Sequence, residues 1–234
     1  MPEALSPDPT LLAEIHATHA FYAALAPRLD PAHALGGTLL LAGQLQEQAV
    51  PLIRAANIAG AATLTVSAST GELRGAMRNG VIDFIVTSLD EALRILKNEL
   101  RKRLPVAVGV QTEPAAMGNE MMVRGVQPDL LTPYAAAVEP LCARALFLER
   151  GALLVEPQEE DASLPLRIWP VPSAWSTRMN ELDAKLGELL PAGAQAQRRW
   201  LRLSPRYLGA PARRLRSSAC DNDLAQAIQT ILQS

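Results

Sequence analysis

Several things are scarce in this sequence. There are two cysteines, Cys142 and Cys220, far apart and outside any C-x-x-C pair, which points to reduced thiols in a cytosol and away from a disulfide framework. The three histidines, His16, His19 and His33, all precede the first strong strand signal, so no Ser–His–Asp arrangement can be assembled. Aromatic residues make up 4% of the chain, and no apolar run approaches the length of a membrane span. The start lacks a basic stretch followed by an apolar one, which argues against secretion and for a cytoplasmic protein. Net charge is also small. With 22 basic and 24 acidic residues the formal balance is −2, leaving no global field to draw in nucleic acid or anionic lipid.

What is present is a regular alternation of apolar runs and amphipathic stretches. Residues 38–42 are a run suited to a strand buried on both faces, and Gly43 turns the chain into a helix over 47–59. Gly60 closes that helix, and 61–66 form a second strand, completing a βαβ unit. The pattern continues with a helix over 73–79, a strand over 82–86, and a helix capped by Ser88 with Glu91 three residues on. Strand 106–110, helix 114–124 and strand 128–131 follow. This rhythm predicts an α/β, Rossmann-like, doubly wound and mostly parallel sheet. Asp8 and Pro9 open an N-terminal helix that Pro27 ends, with Leu11, Ile15, Tyr22 and Leu25 on its apolar face.

After residue 134 the pattern changes. Residues 145–148 and 152–155 flank Glu149-Arg150-Gly151 and read as a β-hairpin. A strand over 166–169 comes next, then a helix from Ser173 or Ser176 to about Leu190, and a last helix capped by Asp221-Asn222-Asp223. Between Leu189 and Cys220 there are seven arginines and no carboxylate. Pro205 and Pro211 make that segment read as an extended arm, and Arg198, Arg199, Arg202, Arg213 and Arg214 as anion contacts. The expected organisation is an N-terminal helix (1–30), a Rossmann domain (31–140) and an α+β extension (141–234) packed on it.

Three phrases carry a family resemblance over residues 21–134. They are Gly36-Gly37-Thr38-Leu39-Leu40-Leu41-Ala42-Gly43, Asp83 with Thr87-Ser88-Leu89-Asp90-Glu91-Ala92-Leu93, and Arg124-Gly125-Val126-Gln127-Pro128-Asp129-Leu130-Leu131-Thr132. In order and spacing they resemble the central Rossmann-like domain of urocanase. That resemblance implies a domain that binds NAD, whose nicotinamide acts as an electrophile while water adds to urocanate. It also favours a homodimer.

Read residue by residue, the cofactor equipment of that family is largely replaced. Its glycine pairs fall on the segment from Gln44 to Pro51, where Glu47 would set a negative charge against a pyrophosphate. The ribose-gripping acid after the second strand is Ser67, and a Gly-Asn pair falls on Thr112-Glu113. The polar run after the fifth strand falls on Pro133, Tyr134, three alanines and Val138. Urocanase is more than twice as long, and neither Cys142 nor Cys220 sits in a motif matching its catalytic cysteine. The expectation is a small-ligand-binding or assembly scaffold without NAD and without urocanate hydration, leaning away from an enzyme.

An open α/β sheet keeps a crevice at the carboxyl ends of its strands. Here it would be lined by Gly43, Gln44, Gln46, Ser67, Ser69, Thr112, Glu113, Thr132 and Tyr134, a polar set suited to a small neutral or cationic ligand. The alternatives are an NAD-dependent lyase or hydratase subunit working with a separately encoded partner, and a module that uses its arginines on nucleic acid or an acidic protein. The slightly negative charge makes nucleic acid the weaker of those last two. His16 and His19 are three apart on one helix, but no third ligand lies nearby in sequence, so no metal is expected.

Overall fold

The computed structural model describes residues 8–132 and 141–233, with the side chains of Leu141 and Cys142 excepted. The described chain separates into two compact units. One is Phe21–Gln158; the other joins the residues up to Ala20 to those from Glu159 onward. The boundaries thus fall inside the first helix and after the sixth strand.

In the unit Phe21–Gln158 six strands form one parallel sheet: β1 (Leu39–Gln44), β2 (Ala62–Ser67), β3 (Phe84–Val86), β4 (Val106–Gln111), β5 (Leu130–Leu131) and β6 (Leu153–Leu154). Their spatial order is β3-β4-β2-β1-β5-β6. The intervening helices are α2 (Ala49–Ala59), α3 (Thr70–Arg78), α4 (Leu89–Lys102), α5 (Pro114–Val123) and α6 (Leu141–Glu149). Right-handed crossovers place α2 and α3 on one face and α4, α5 and α6 on the other. The core on the second face fits that rule, with Leu89, Leu96, Met117, Met121 and Phe147 packed on Leu39, Leu41, Leu64, Val108 and Leu131.

Local chemistry sets these boundaries. Ser88 caps α4 by accepting from the N–H of Glu91, and the Glu91 carboxylate accepts from both the N–H and the hydroxyl of Thr87. Those bonds hold the Glu91 carboxyl below its ordinary range, the Thr87 N–H contributing most. Gly60, at φ 97°, ends α2 with its N–H on the Ala56 and Asn57 carbonyls.

Residues 145–155 are not a hairpin. They are the end of helix α6 followed by strand β6, which extends the parallel sheet beyond β5. Gly151 (φ 96°) is a helix C-cap, its N–H on Leu148 O and the Ala152 N–H on Phe147 O at 2.9 Å. A short apolar run reads equally as a buried strand or as a helix face, and here the second applies.

The second unit contains the first part of α1 (Pro9–Leu25), the antiparallel pair β7 (Leu166–Pro170) and β8 (Leu215–Ala219), and helices α7 (Met179–Glu188), α8 (Gln195–Tyr207) and α9 (Asn222–Gln233). Its core gathers Trp169, Trp175, Leu182, Leu186, Leu201, Ile228 and Leu232. The arginine-rich segment is therefore no extended arm. It is helix α8, a 3₁₀ turn (Ala210–Arg214) and strand β8, and Pro205 is carried within the helix. Among the described residues no helix is long and apolar enough to cross a membrane.

Candidate functional site

The carboxyl ends of β1, β2, β4 and β5 lie side by side. Gln44 is registered against Val66, Ser67 against Gln111, and Thr132 directly follows Leu131, the partner of Leu41. The helices that follow β1 and β2 lie on one face of the sheet, and those that follow β4 and β5 on the other. Such divergence opens a crevice between neighbouring strands.

At the end of β1 the register against β2 shifts between Leu41 and Gly43, so Ala42 is an extra residue in the ladder. Gly43 takes φ 73°, a conformation costly to other residues, and its carbonyl accepts the Thr65 hydroxyl at 2.9 Å. The turn that follows is filled by its own side chains. Leu45 is 6% exposed and donates its N–H to Val66 O at 2.7 Å. The Gln46 amide donates to the Gln44 side-chain oxygen at 3.0 Å, and the Gln46 carbonyl takes the Ala49 N–H. Gln46, Glu47 and Gln48 are exposed, and no side chain caps α2.

At the end of β2, Ser67 is buried and its hydroxyl donates to the Glu72 carboxylate at 2.6 Å while accepting the Ser69 N–H at 3.0 Å. Ser69 in turn caps α3 by accepting from the N–H of Glu72. These three residues form a closed local network. The Ser69-x-x-Glu72 spacing carries the signature of a helix start. That the glutamate would reach back to Ser67 is not visible in it.

At β4, Thr112 is half-buried with its N–H on Val110 O, and Glu113 is exposed at the head of α5, making no side-chain cap bond. Thr132 is fully buried at the end of β5. Tyr134 lies outside the described residues. Gln111, half-buried beside Ser67, and the buried plug Leu45 belong to this rim although sequence reasoning passed over both. An apolar residue inside an otherwise polar turn was the signal for Leu45.

The remaining candidates lie in the other unit. Arg198 donates to the carbonyls of Gly187, Leu190 and Ala192, so its guanidinium closes the end of α7. Arg199 has a partner within the chain, whereas Arg202, Arg213 and Arg214 are exposed. Trp200 is buried with its indole N–H on the Ser217 hydroxyl at 3.0 Å. His16 lies 3.6 Å from Glu160, and the His19 ring meets the Trp200 ring edge-on, centroids 4.8 Å apart. Burial pushes His19 down to about 4, against a smaller opposing pull from Glu160. Among the described residues no three His, Cys, Asp or Glu side chains gather as metal ligands. Cys220 is buried, and desolvation raises its thiol above the ordinary value, the opposite of an activated nucleophile.

The segments that carry the family resemblance have architectural work of their own. Arg124 is paired with Asp90 and, at 3.0 Å, with Glu120, which ties the end of α5 to the start of α4. Gly36 passes so close to the end of α4 that a Cβ there would stand 2.7 Å from Arg103. A model of the urocanase Rossmann-like domain matches residues 15–145, more than half of the chain. The parallel sheet with helices on both faces is a Rossmann-like α/β fold, in agreement with this match. The chain belongs to the urocanase Rossmann-like domain family.

Proposed function

We propose that this protein is a urocanase-family scaffold that does not bind NAD and does not hydrate urocanate, its crevice serving at most a small polar ligand. The observation that carries the reading is the β1–α2 turn. A pyrophosphate cradle needs backbone N–H groups bare of side chains and pointing at the ligand. Here Leu45 sits buried in the turn with its N–H spent on Val66, the Ala49 N–H is spent on Gln46, and Glu47 stands at the mouth. The residues present do not fit a dinucleotide. Ser67 supports the same reading, because its hydroxyl is already engaged by Glu72 where a ribose-gripping carboxylate would be required.

The test is native mass spectrometry and absorbance of the purified protein, followed by NAD titration while thermal stability is followed. A ligand at one hundred times its Kd stabilises by about 2.7 kcal/mol, roughly 5–10 °C in a chain of this size. The expected result is no added mass and no shift. Co-purified NAD, or a shift of that size at micromolar NAD, would overturn the reading.

A further inference from the structure

The arginines of the second unit remain unexplained by the scaffold reading. Arg202 and Arg206 lie one turn apart on α8, and Arg213 and Arg214 lie on the 3₁₀ turn that packs against it. All four are exposed, and among the described residues none has a carboxylate within 4.0 Å. Arg206 lies over the Tyr207 ring at 5.4 Å, a stacking that leaves its N–H edge open. The opposite side of α8 is committed to the core through Trp200, Leu201 and Ser204, so Arg202 and Arg206 stand on the outward side of a fixed element.

The acids of the same unit are largely spent elsewhere. Glu160 accepts the Leu166 N–H at 2.5 Å and lies 3.6 Å from His16, and Asp161 accepts from the N–H and hydroxyl of Ser163. Glu181 is paired with Lys185 and Arg178, and Asp183 with Arg216. The counter-charge of the four arginines is therefore to be sought on another molecule.

Arginine's planar fork suits both carboxylate and phosphate, and two observations favour carboxylate. The stretch from Leu189 to Cys220 holds seven arginines and no acid, so the rest of the chain, with 15 basic and 24 acidic residues, carries a formal −9. A long nucleic acid running past the arginines meets that opposing field, whereas a short acidic segment does not. Stacking is also poorly provided for. Trp200 is buried, and Arg206 already lies over the Tyr207 ring, so no open aromatic platform adjoins these arginines for bases.

We propose that the outward side of α8 and the 3₁₀ turn after it, through Arg202, Arg206, Arg213 and Arg214, dock a short carboxylate-rich segment of a different protein. Steering and salt sensitivity follow from the exposure of the arginines, and selectivity from their fork geometry. The crevice reading is independent, because the NAD titration reads a different unit and a different ligand.

The experiment is fluorescence anisotropy of a labelled oligo-glutamate peptide titrated with the full chain, at about 0.05 M and about 0.5 M salt, between which the screening length falls severalfold. The expected result is saturable binding at low salt that weakens about tenfold or more at high salt. The doubly substituted R202E/R206E should weaken the low-salt affinity about tenfold or more. R202Q/R206Q, which places no acid on the helix, carries the same test if the reversal unfolds the unit. The matched control is K97E/R101E, which makes the same charge change at the same i,i+4 spacing on exposed positions of α4, and it should bind like the wild type. No binding of the peptide overturns the proposal, as does binding that survives R202E/R206E or falls equally in K97E/R101E. A labelled DNA duplex bound more tightly than the peptide and released by R202E/R206E would also overturn it, assigning the surface to a polyanion.

Discussion

Asp129 and Leu39, 90 residues apart, exchange two hydrogen bonds. The Leu39 N–H donates to the Asp129 carboxylate at 2.8 Å, and the Asp129 N–H donates to the Leu39 carbonyl at 2.9 Å. Asp83 and Ala107 repeat the arrangement at 2.8 Å in both directions. Each aspartate precedes a strand, β5 or β3, and clamps it to the neighbour nearer the centre of the sheet, β1 or β4. Both clamps sit at the amino ends of the strands, the end opposite the crevice. The aspartates in two of the three family phrases therefore set sheet register. This explains how a chain can keep the fold of a family while the ligand-facing end of its sheet is rebuilt.

Replacing either aspartate with alanine is expected to cost about 1–2 kcal/mol, the value of a partly buried bond to a charged acceptor. Asparagine, which still offers a carbonyl oxygen, should recover part of the loss. The two sites share no partner, so D83A and D129A should add within about 0.5 kcal/mol in urea denaturation. A loss below about 0.3 kcal/mol for both would show that the clamps do not hold the sheet together.

Glycines separate steric need from mere presence. A Cβ on Gly36 would lie 2.7 Å from Arg103 Cβ and from the Arg103 carbonyl, and 2.9 Å from the His33 carbonyl. Backbone oxygens cannot swing aside, so Gly36→Ala should destabilise by about 1–3 kcal/mol. Gly187, inside α7 with nothing within 4 Å, is the control. There alanine should stabilise by roughly 0.5–1 kcal/mol through helix propensity. Equal effects at both positions in a thermal melt would refute the packing argument.

The sheet was legible because each strand from β1 to β5 is a short apolar run set off by glycine or proline, and each helix between them keeps a helical period. Pro9, Ser88, Gly60 and Pro114 mark boundaries that the structure keeps within a residue or two. Two elements were illegible for stated physical reasons. Residues 145–148 carry no polar interruption to tell a buried helix from a strand, and Glu149-Arg150-Gly151 suits a turn of either kind. Strand β8 has the sequence Leu215-Arg216-Ser217-Ser218-Ala219, whose polar residues are buried through specific partners, Asp183 for Arg216 and Trp200 for Ser217. Pattern alone does not show such pairing. At the crevice, the positions at the strand ends could be read from the alternation, but the coupling of Ser67 to Glu72 and the inward turn of Leu45 depend on side-chain geometry.

His19 supplies a pH dependence with a definite sign. Its folded value of about 4 lies below the 6.5 of the unfolded chain, so between these values the unfolded state binds the extra proton. The stabilisation is complete above about 6.5 and is lost as pH falls toward 4. The loss should reach roughly 2–3 kcal/mol, since one pKa unit is about 1.4 kcal/mol. The ring's contact with Trp200 offers a local probe. Urea midpoints should fall across that window in the wild type and stay flatter in His19→Gln, with Trp fluorescence reporting the change. Parallel pH profiles for the two proteins would assign the acid sensitivity elsewhere.

Arg216 provides the sharpest test of how the second unit holds its buried charge. Its side chain is 4% exposed; Nε donates to Asp183 at 2.6 Å, and Nη1 donates to the carbonyls of Leu215 and Arg213. Removing Asp183 leaves a buried cation with only neutral acceptors, so Asp183→Ala should cost about 3–5 kcal/mol. Removing both charges at once with residues of similar volume, Arg216→Met with Asp183→Leu, eliminates the desolvation cost together with the attraction. That pair should retain most of the stability, within about 1–2 kcal/mol of the wild type. The coupling in this double-mutant cycle separates pairing from packing. If the double variant is as unstable as Asp183→Ala, the bonds from Arg216 to the Leu215 and Arg213 carbonyls hold this corner, and the ion pair is secondary.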